Sequence, residues 1–391
     1  MLSRRQFLSA ALGVSAVAIA GPSLTHAQTA PAGASVDPTL FDYLSLTPSS
    51  IANLSQALPL MAGNQQIQAE ALAFALPFDM NNADQMHEWI QGTWNVTLPS
   101  FIRTNAMRED FVANTGFDVS QIHSGAEAGE PPSMVTFLRG SFDPAAVQAV
   151  QVLNGYTPVD IAGHTVYSLF EDAEIDLTNP ISAMALARMN NSTILDDGTL
   201  VYAATLDLIE QVLTPGPTLL EQPGIQQALA TLDAPLISSI VLGPGNFLPG
   251  IPMEIFEPSS NEEIAAAMEA LRAQTPAPIV ISAIAGDTPG GPIEFETRDA
   301  ASIASQPESL STFALVYGSP EDAQLAATQI DERLSTGSSI FNGRPWTDMF
   351  QFWTVTPNLE QSSVLLSIKW NGRAGRAFQL IANRDIGFIT G

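Results

Sequence analysis

Two segments of the chain carry the same short series of signals, and these signals constrain the fold more than any other feature. In each segment an apolar strand leads through a glycine to a capping side chain and a proline that opens a helix. The first strand and helix are predicted at 134–138 and 144–153, and the second pair at 312–317 and 320–334. The chain therefore alternates strands with helices after an N-terminal part of different character.

The helix starts in these two segments are the most specific local predictions. Asp143 precedes Pro144, and Ser319 precedes Pro320. A capping oxygen accepts a hydrogen bond from an amide that has no partner inside the helix. Proline at the first helical position lacks only a donor that the helix does not use. Both helices are therefore expected to begin at their proline.

Paired strands follow each of these helices. A hairpin turn is predicted at Gly163-His164, and Asp196-Asp197-Gly198 supplies the Asp-Gly pair typical of a tight hairpin. The predicted strands are 157–161, 165–169, 192–195, 199–204, 352–356, 364–370 and 386–389. The predicted helices beside them are 206–213 and 374–382.

Strand, helix, hairpin, helix and strand in this order predict an α+β fold. We expect antiparallel sheets with helices on one face, in two related units that resemble ferredoxin-like units. The Pro/Gly-rich stretch 243–260 predicts the boundary, so the expected domains are 38–242 and 261–391.

The N-terminal part of the first domain is predicted to be helical over 84–116, in two pieces that end at Gly116. Four positions in this stretch are expected to be buried: Phe101, Met107, Phe111 and Val112.

The first 27 residues have the layout of an export peptide. Two adjacent arginines are followed by an uncharged apolar run over 8–20, a Gly-Pro break and small residues before Gln28. The run is shorter than the ~20 apolar residues of a membrane-spanning helix. Signal peptidase is expected to cut between Ala27 and Gln28, and 28–37 is expected to be a disordered leader because it is rich in Ala, Pro and Gly.

Ser3-Arg4-Arg5-Gln6-Phe7-Leu8 resembles the twin-arginine (Tat) signal family, with Arg4, Arg5, Phe7 and Leu8 as the targeting residues. The resemblance implies the Tat export machinery and signal peptidase as partners, and a location in the periplasm or outside the cell. The alternative is a general-secretory signal that carries two arginines by chance. The stretch from Gly140 to Tyr167 resembles uncharacterised bacterial secreted proteins, a likeness that implies no function.

Composition narrows the function classes. The net charge is −26, which disfavours binding to nucleic acid and to anionic membrane surfaces. The absence of cysteine excludes disulfides, thiolate nucleophiles, thiolate metal sites and an N-terminal lipid anchor. No stretch after the leader reaches 18 unbroken apolar residues, so the mature chain is expected to be free in solution.

No catalytic motif stands out, so catalytic residues stay unknown at this stage. His87, His123 and His164 lack the spacing of a metal site, and no Gly-x-Ser-x-Gly elbow is present. A Ser–His–acid triad assembled only in the fold stays open. The single lysine, Lys369, has no P-loop or Ser-x-x-Lys context and is expected to be solvated beside a turn.

Acidic and basic clusters have ordinary interpretations as well. Asp172, Glu174 and Asp176 would share a strand face and could bind Ca²⁺ if the segment 171–176 were extended, but a solvated strand end is favoured. Glu294 and Glu296 are separated by one residue and could be read as the carboxyl pair of a glycosidase. Closeness in sequence alone, however, does not place two carboxyls across a cleft. The segment 243–245 is interpreted as a turn, not a phosphate loop.

Four basic residues near the C-terminus are expected to contact acidic surface of the same chain, with an anion-binding patch as the alternative. They are Lys369, Arg373, Arg376 and Arg384.

These observations predict an exported binding or scaffold protein that is not an enzyme and uses no cofactor or metal. The alternatives are an extracytoplasmic hydrolase whose site forms only in the fold, and a small-molecule-binding protein that holds its ligand between the two units.

Overall fold

The structure is a computed structural model that describes residues 38–56, 58–93, 96–214, 216–247, 278–290, 309–371 and 377–390. The predicted leader, with Arg4, Arg5, Phe7, Leu8, Ala27 and Gln28, lies outside these ranges. So do Glu294, Glu296, Arg373, Arg376 and most of the predicted boundary 243–260.

The described residues contain twelve strands, all in one antiparallel sheet. They are β1 (Leu60–Asn64), β2 (Ile122–Glu130), β3 (Ser133–Gly140), β4 (Thr157–Ile161), β5 (His164–Ser168), β6 (Asn191–Ile194), β7 (Leu200–Ala203), β8 (Ser238–Leu242), β9 (Ser282–Asp287), β10 (Ser311–Val316), β11 (Phe350–Asn358) and β12 (Ser363–Trp370).

Thirteen α-helices lie in the same ranges. They are α1 (Pro38–Leu46), α2 (Gln65–Ala71), α3 (Ala83–Thr93), α4 (Ser100–Asn105), α5 (Phe111–Thr115), α6 (Pro144–Leu153), α7 (Pro180–Ala185), α8 (Leu206–Leu213), α9 (Pro223–Thr231), α10 (Pro320–Thr336), α11 (Trp346–Met349), α12 (Ala377–Ala382) and α13 (Gly387–Thr390). Short 3-10 helices occur at Val119–Gln121, Leu186–Met189, Leu219–Glu221 and Pro244–Phe247.

The sheet has the order β11-β12-β10-β9-β8-β1-β2-β3-β7-β6-β5-β4. Its centre is the antiparallel pair β1–β8, with Leu60 opposite Val241. On either side of this pair come two strands of one unit and then a hairpin, β6–β7 or β11–β12, and the β4–β5 hairpin extends one edge. The α+β antiparallel class is therefore confirmed, while the ferredoxin-like character of the two units stays a prediction.

Helices cover both faces of the sheet, so the expectation of helices on one face is wrong. In β8, Val241 packs in one buried cluster with α1, α8 and α9, while Ile240 and Leu242 pack in another with α10, α12 and α13. A third cluster lies with α3 to α7 over the first half of the sheet. Every residue of β8, β9 and β10 is buried, and a strand buried on both sides requires cover on both sides.

The predicted capping signals act as expected. Asp143 accepts a hydrogen bond from the Ala145 amide at 2.9 Å, and Ser319 accepts one from the Asp322 amide at 3.1 Å. Both helices begin at their proline. Gly116 ends α5 with a φ of 83°, and Gly198 has the same φ in the β6–β7 turn.

The predicted last strand, 386–389, is wrong because this segment forms helix α13. Strand β12 already pairs with β10 on one side and β11 on the other, so it offers no free edge there. The segment packs its side chains Phe388 and Ile389 in the core instead, and Arg333 Nη1 of α10 donates to the Ile389 carbonyl at 3.1 Å.

Two of the four positions predicted to be buried in the helical region are wrong. Phe101 and Phe111 are buried, but Met107 and Val112 are exposed. The region forms several short helices, α3 to α5, and the face that a one-turn helix buries is set by its tertiary neighbours and not by a long periodic pattern.

Candidate functional site

One concave feature of the described residues is a cavity of about 570 Å³ on the face of the sheet covered by α3 and α4. This volume lies within the ~300–1,000 Å³ of small-molecule sites. Most of the lining is apolar: Met61, Trp89, Ile90, Val96, Leu98, Ile102, Ala106, Met107, Val119 and Phe378. Because Met61 and Phe378 come from β1 and α12, the cavity lies where the two halves of the sheet meet.

Two glycines explain why the chain passes so close to the sheet at this point. A Cβ atom on Gly63 of β1 would lie 2.4 Å from the carbonyl oxygen of Thr97, and one on Gly125 of β2 would lie 2.8 Å from Pro99 Cδ. Only residues without a side chain allow this approach. The segment 96–99 therefore lies directly on the sheet and places Ser100, the first residue of α4, beside β2.

A buried carboxylate stands at the polar end of the cavity. Glu127 of β2 is 4% exposed, and Ser100 Oγ donates a hydrogen bond to its Oε1 at 2.9 Å. Arg188 Nη1 lies 3.4 Å from the same Oε1 and also donates to Ser100 Oγ. A buried carboxylate is costly without such partners, and Ser100 and Arg188 are the two that the described residues give Glu127.

The two oxygens of Glu127 have different surroundings. Both contacts of the carboxylate use Oε1, and no group of the described residues donates to Oε2. Because Glu127 also lines the cavity, its Oε2 is a hydrogen-bond acceptor without a donor among the described residues, at a site whose lining is mainly apolar.

Hydrogen bonds hold the aromatic wall of the cavity in place. The indole Nε1 of Trp89 donates to Gln65 Oε1 at 3.3 Å, and Gln65 Nε2 donates to the Val119 carbonyl at 3.0 Å. Phe78 packs against the Trp89 ring with centroids 5.6 Å apart. The wall is therefore positioned before any ligand arrives.

A second cavity, of about 310 Å³, surrounds Arg139. This guanidinium forms ion pairs with Asp42 and, at 2.6 Å, with Asp197, and it lies 5.6 Å from the ring centroid of Tyr43. Burial opposes the charged form, but the two carboxylates prevail and raise the pKa of Arg139. Arg139 thus ties α1 to the β6–β7 turn and is satisfied by its own chain.

The structure does not bring the three histidines into a triad. His87 is exposed and its Nε2 lies 2.6 Å from Gln91 Nε2. Burial lowers the pKa of His123, and His164 lines the Arg139 cavity. Neither His123 nor His164 forms a hydrogen bond with a serine or a carboxylate in the described ranges.

The acidic run 171–176 is a turn and not a strand, so its side chains do not share a face. Asp172 accepts from the Leu206 amide at 2.8 Å, and Asp176 accepts from the Thr178 amide at 2.9 Å. Within the described part of the chain, no three His, Asp or Glu side chains lie close enough together to hold a metal ion.

The remaining candidates have local roles. Lys369 lies on β12 with its Nζ 5.9 Å from the ring centroid of Phe352, and Arg384 is exposed. Gly243 lets the start of the 3-10 helix Pro244–Phe247 approach Leu54, because a Cβ there would lie 2.0 Å from the Leu54 carbonyl oxygen.

Sequence reasoning missed Glu127 and Ser100. Glu127 lies in a stretch of small residues, 124–129, that has little of the β-branched and aromatic character of strands. The available signal was the glycine content of this stretch, because glycine inside a strand marks a place that other backbone approaches closely. Glu127 is the only acid among these small residues.

No helix of the described residues combines the length and the apolar character needed to cross a membrane. No protein-family model matches the chain, and neither a curated protein nor a solved structure is significantly similar to it.

Proposed function

We propose that this protein binds a small, largely apolar molecule in the cavity between α3, α4 and the centre of the sheet. The observation that carries the proposal is a preformed apolar space of about 570 Å³ with one buried carboxylate at its polar end. Such sites are mostly apolar with a few placed polar groups that orient the ligand. A protein that holds a small molecule between its two units is also one of the alternatives that the sequence left open.

Binding is favoured over hydrolysis by the surroundings of Ser100. A serine nucleophile requires a base that removes its proton while its lone pair stays available for attack. Here Ser100 Oγ accepts a hydrogen bond from the guanidinium of Arg188, a cation that attracts this lone pair. The hydroxyl therefore serves to position Glu127.

The test is calorimetric titration of the purified mature chain with 1-octanol. We expect a dissociation constant between about 10 µM and 1 mM, because roughly 0.8 kcal/mol per buried methylene is partly offset by the cost of association. Ala106→Phe, which fills the cavity at a lining position, should abolish this binding.

The matched control is Ala145→Phe, an exposed alanine on α6 away from the cavity, which should bind 1-octanol like the unmodified chain. Circular dichroism checks that both variants fold. Absence of binding to the unmodified chain, or equal binding by Ala106→Phe, would contradict the proposal.

We also propose that the protein works outside the cytoplasm after Tat export, on the strength of the motif around Arg4 and Arg5. Replacement of both residues by lysine should leave the full-length chain in the cytoplasm, whereas the unmodified protein should be recovered from the periplasm or medium with Gln28 at its N-terminus by intact mass. Export of the double variant at the normal level would refute the Tat route.

A further inference from the structure

We infer that the ligand of this cavity is an amphiphilic amine: an apolar body that carries a protonated amino group hydrogen-bonded to Glu127 Oε2. The inference rests on the proposed function, since it names the class of molecule for the same cavity. It starts from a carboxylate oxygen, Glu127 Oε2, that has no donor among the described residues.

The proposed contact of the ligand is Glu127 Oε2, because no described residue donates a hydrogen bond to this oxygen. Glu127 is 4% exposed, and the two contacts that described residues make with its carboxylate, from Ser100 and Arg188, both use Oε1. An acceptor in a secluded site gains most from a charged donor, because charge-assisted hydrogen bonds are about twice as strong as neutral ones. A ligand ammonium group at Oε2 would complete the hydrogen bonding of the carboxylate.

Arg188 does not already neutralise the site in full. Its Nη1 lies 3.4 Å from Oε1, beyond the usual hydrogen-bonding distance of 2.7–3.2 Å, and its side chain is 31% exposed, so water screens part of its charge. Arg188 therefore does not complete the hydrogen bonding of the carboxylate.

The net charge of the whole chain also favours a cationic ligand. Forty acidic residues against fourteen basic ones give a net charge of −26, and a field of one sign raises the local concentration of opposite charges in a cleft. Arg103 would favour an anionic ligand instead, since it is an exposed cation that also lines the cavity. An anionic head group would require Arg103, rather than Glu127, to dominate.

The apolar lining favours a ligand whose remaining part is hydrocarbon. Trp89, Ile102 and Phe378 surround the space beyond Glu127, and each methylene buried there contributes about 0.8 kcal/mol. The site therefore selects a molecule with both a hydrocarbon part and one donor, instead of a small polar amine.

Three probes with the same chain length test the inference at pH 7: octylammonium, 1-octanol and octanoate. We expect octylammonium to bind the unmodified chain at least tenfold more tightly than 1-octanol, and octanoate to bind most weakly. Glu127→Gln should reduce the preference for octylammonium over 1-octanol at least tenfold while 1-octanol binding changes less than threefold. Glu130→Gln, an exposed change in the same strand, is the control and should leave the order unchanged.

The outcomes separate the two proposals. If 1-octanol fails to bind the unmodified chain, the proposed function fails. If 1-octanol binds but octylammonium binds no more tightly than 1-octanol, the cavity binds apolar molecules and the inference about Glu127 is overturned. Tightest binding of octanoate would assign the head group to Arg103. The order of the three probes on the unmodified chain decides this even if Glu127→Gln does not fold.

Discussion

Three of the four buried tyrosines, Tyr156, Tyr202 and Tyr317, differ in the partners of their hydroxyls. Tyr156 Oη donates to the Met189 carbonyl at 2.5 Å. The hydroxyls of Tyr202 and Tyr317 are buried and have no hydrogen-bond partner in the described residues. An unpaired buried hydroxyl costs free energy, whereas a paired one contributes to stability.

Removal of these hydroxyls should therefore have opposite effects on stability. We expect Tyr317→Phe to change the free energy of unfolding by roughly zero or to raise it by up to about 1 kcal/mol. Tyr156→Phe should lower it by about 1–3 kcal/mol, since it leaves the buried Met189 carbonyl without its donor. Urea unfolding of both variants at pH 7 measures the difference, and equal losses would show that Tyr317 has a partner.

The same residues should make the protein sensitive to alkaline pH. Burial raises the pKa of Tyr156, Tyr202 and Tyr317 above the ordinary value near 10. The folded state then keeps protons that the unfolded state releases, so this stability is fully present below pH 10 and is lost above it. Each tyrosine contributes up to about 1.36 kcal/mol per pH unit.

Urea unfolding at pH 9, 10 and 11 checks this prediction. Stability should fall between pH 10 and 11, and the fall should be smaller in Tyr317→Phe because one of the three proton-retaining groups is gone. A stability that is flat over this interval would show that the hydroxyls ionise as easily in the folded state.

At the scale of single elements, the loop 339–344 is held by one carboxylate. Buried Asp385 accepts from Ser339 Oγ at 2.6 Å and from the amide of Ile340 at 2.8 Å. The loop presents Ile340 and Phe341, which are 75% and 69% exposed. Asp385 thus keeps two exposed apolar side chains on an ordered loop.

Asp385→Ala should loosen this loop. The lost hydrogen bonds to a charged group contribute about 1.5–3 kcal/mol each, and 1.4 kcal/mol already corresponds to a tenfold change in opening. Cleavage by chymotrypsin after Phe341 should therefore accelerate at least tenfold. Asp348→Ala, an exposed aspartate nearby on α11, is the control and should leave the cleavage rate unchanged.

Hydrogen exchange separates loosening of the loop from general destabilisation. The amide of Ile340 should exchange faster in Asp385→Ala, while that of Ile240 in β8 should exchange as before. Faster exchange of both amides to the same extent would contradict a local role for Asp385.

The elements differ in how far the sequence could predict them. Helix α6 was predicted with its observed bounds, because Asp143, Pro144 and the apolar spacing are local signals. The segment 386–389 is a short apolar run that suits a strand or a helix equally, and only the lack of a free edge on β12 decides for the helix. Strand β2 was not predicted because its Gly and Ala residues are selected by close backbone contact and not by strand propensity. Glu127 was missed for the same reason.

At the scale of the whole molecule, no break in the sheet separates the two predicted domains. Strand β8, assigned to the first domain, pairs with β1 of that domain and with β9 of the second half. Leu40 of α1 and Val316 of β10 belong to the same buried apolar cluster. Sheet order of this kind joins residues far apart in sequence, so no local pattern could have predicted it.

The continuous sheet and shared core predict that the chain unfolds as one cooperative unit. In calorimetry the measured enthalpy should equal the van't Hoff enthalpy, as for a two-state transition. Ser239→Pro removes a backbone donor at the central β1–β8 pair and should speed hydrogen exchange in β3 and β10 together. Thr354→Pro, on the edge strand β11, should act mainly on its own hairpin. Two separate transitions, or a Ser239→Pro effect confined to one half, would mean that the units fold independently and that the boundary predicted at 243–260 divides the molecule thermodynamically.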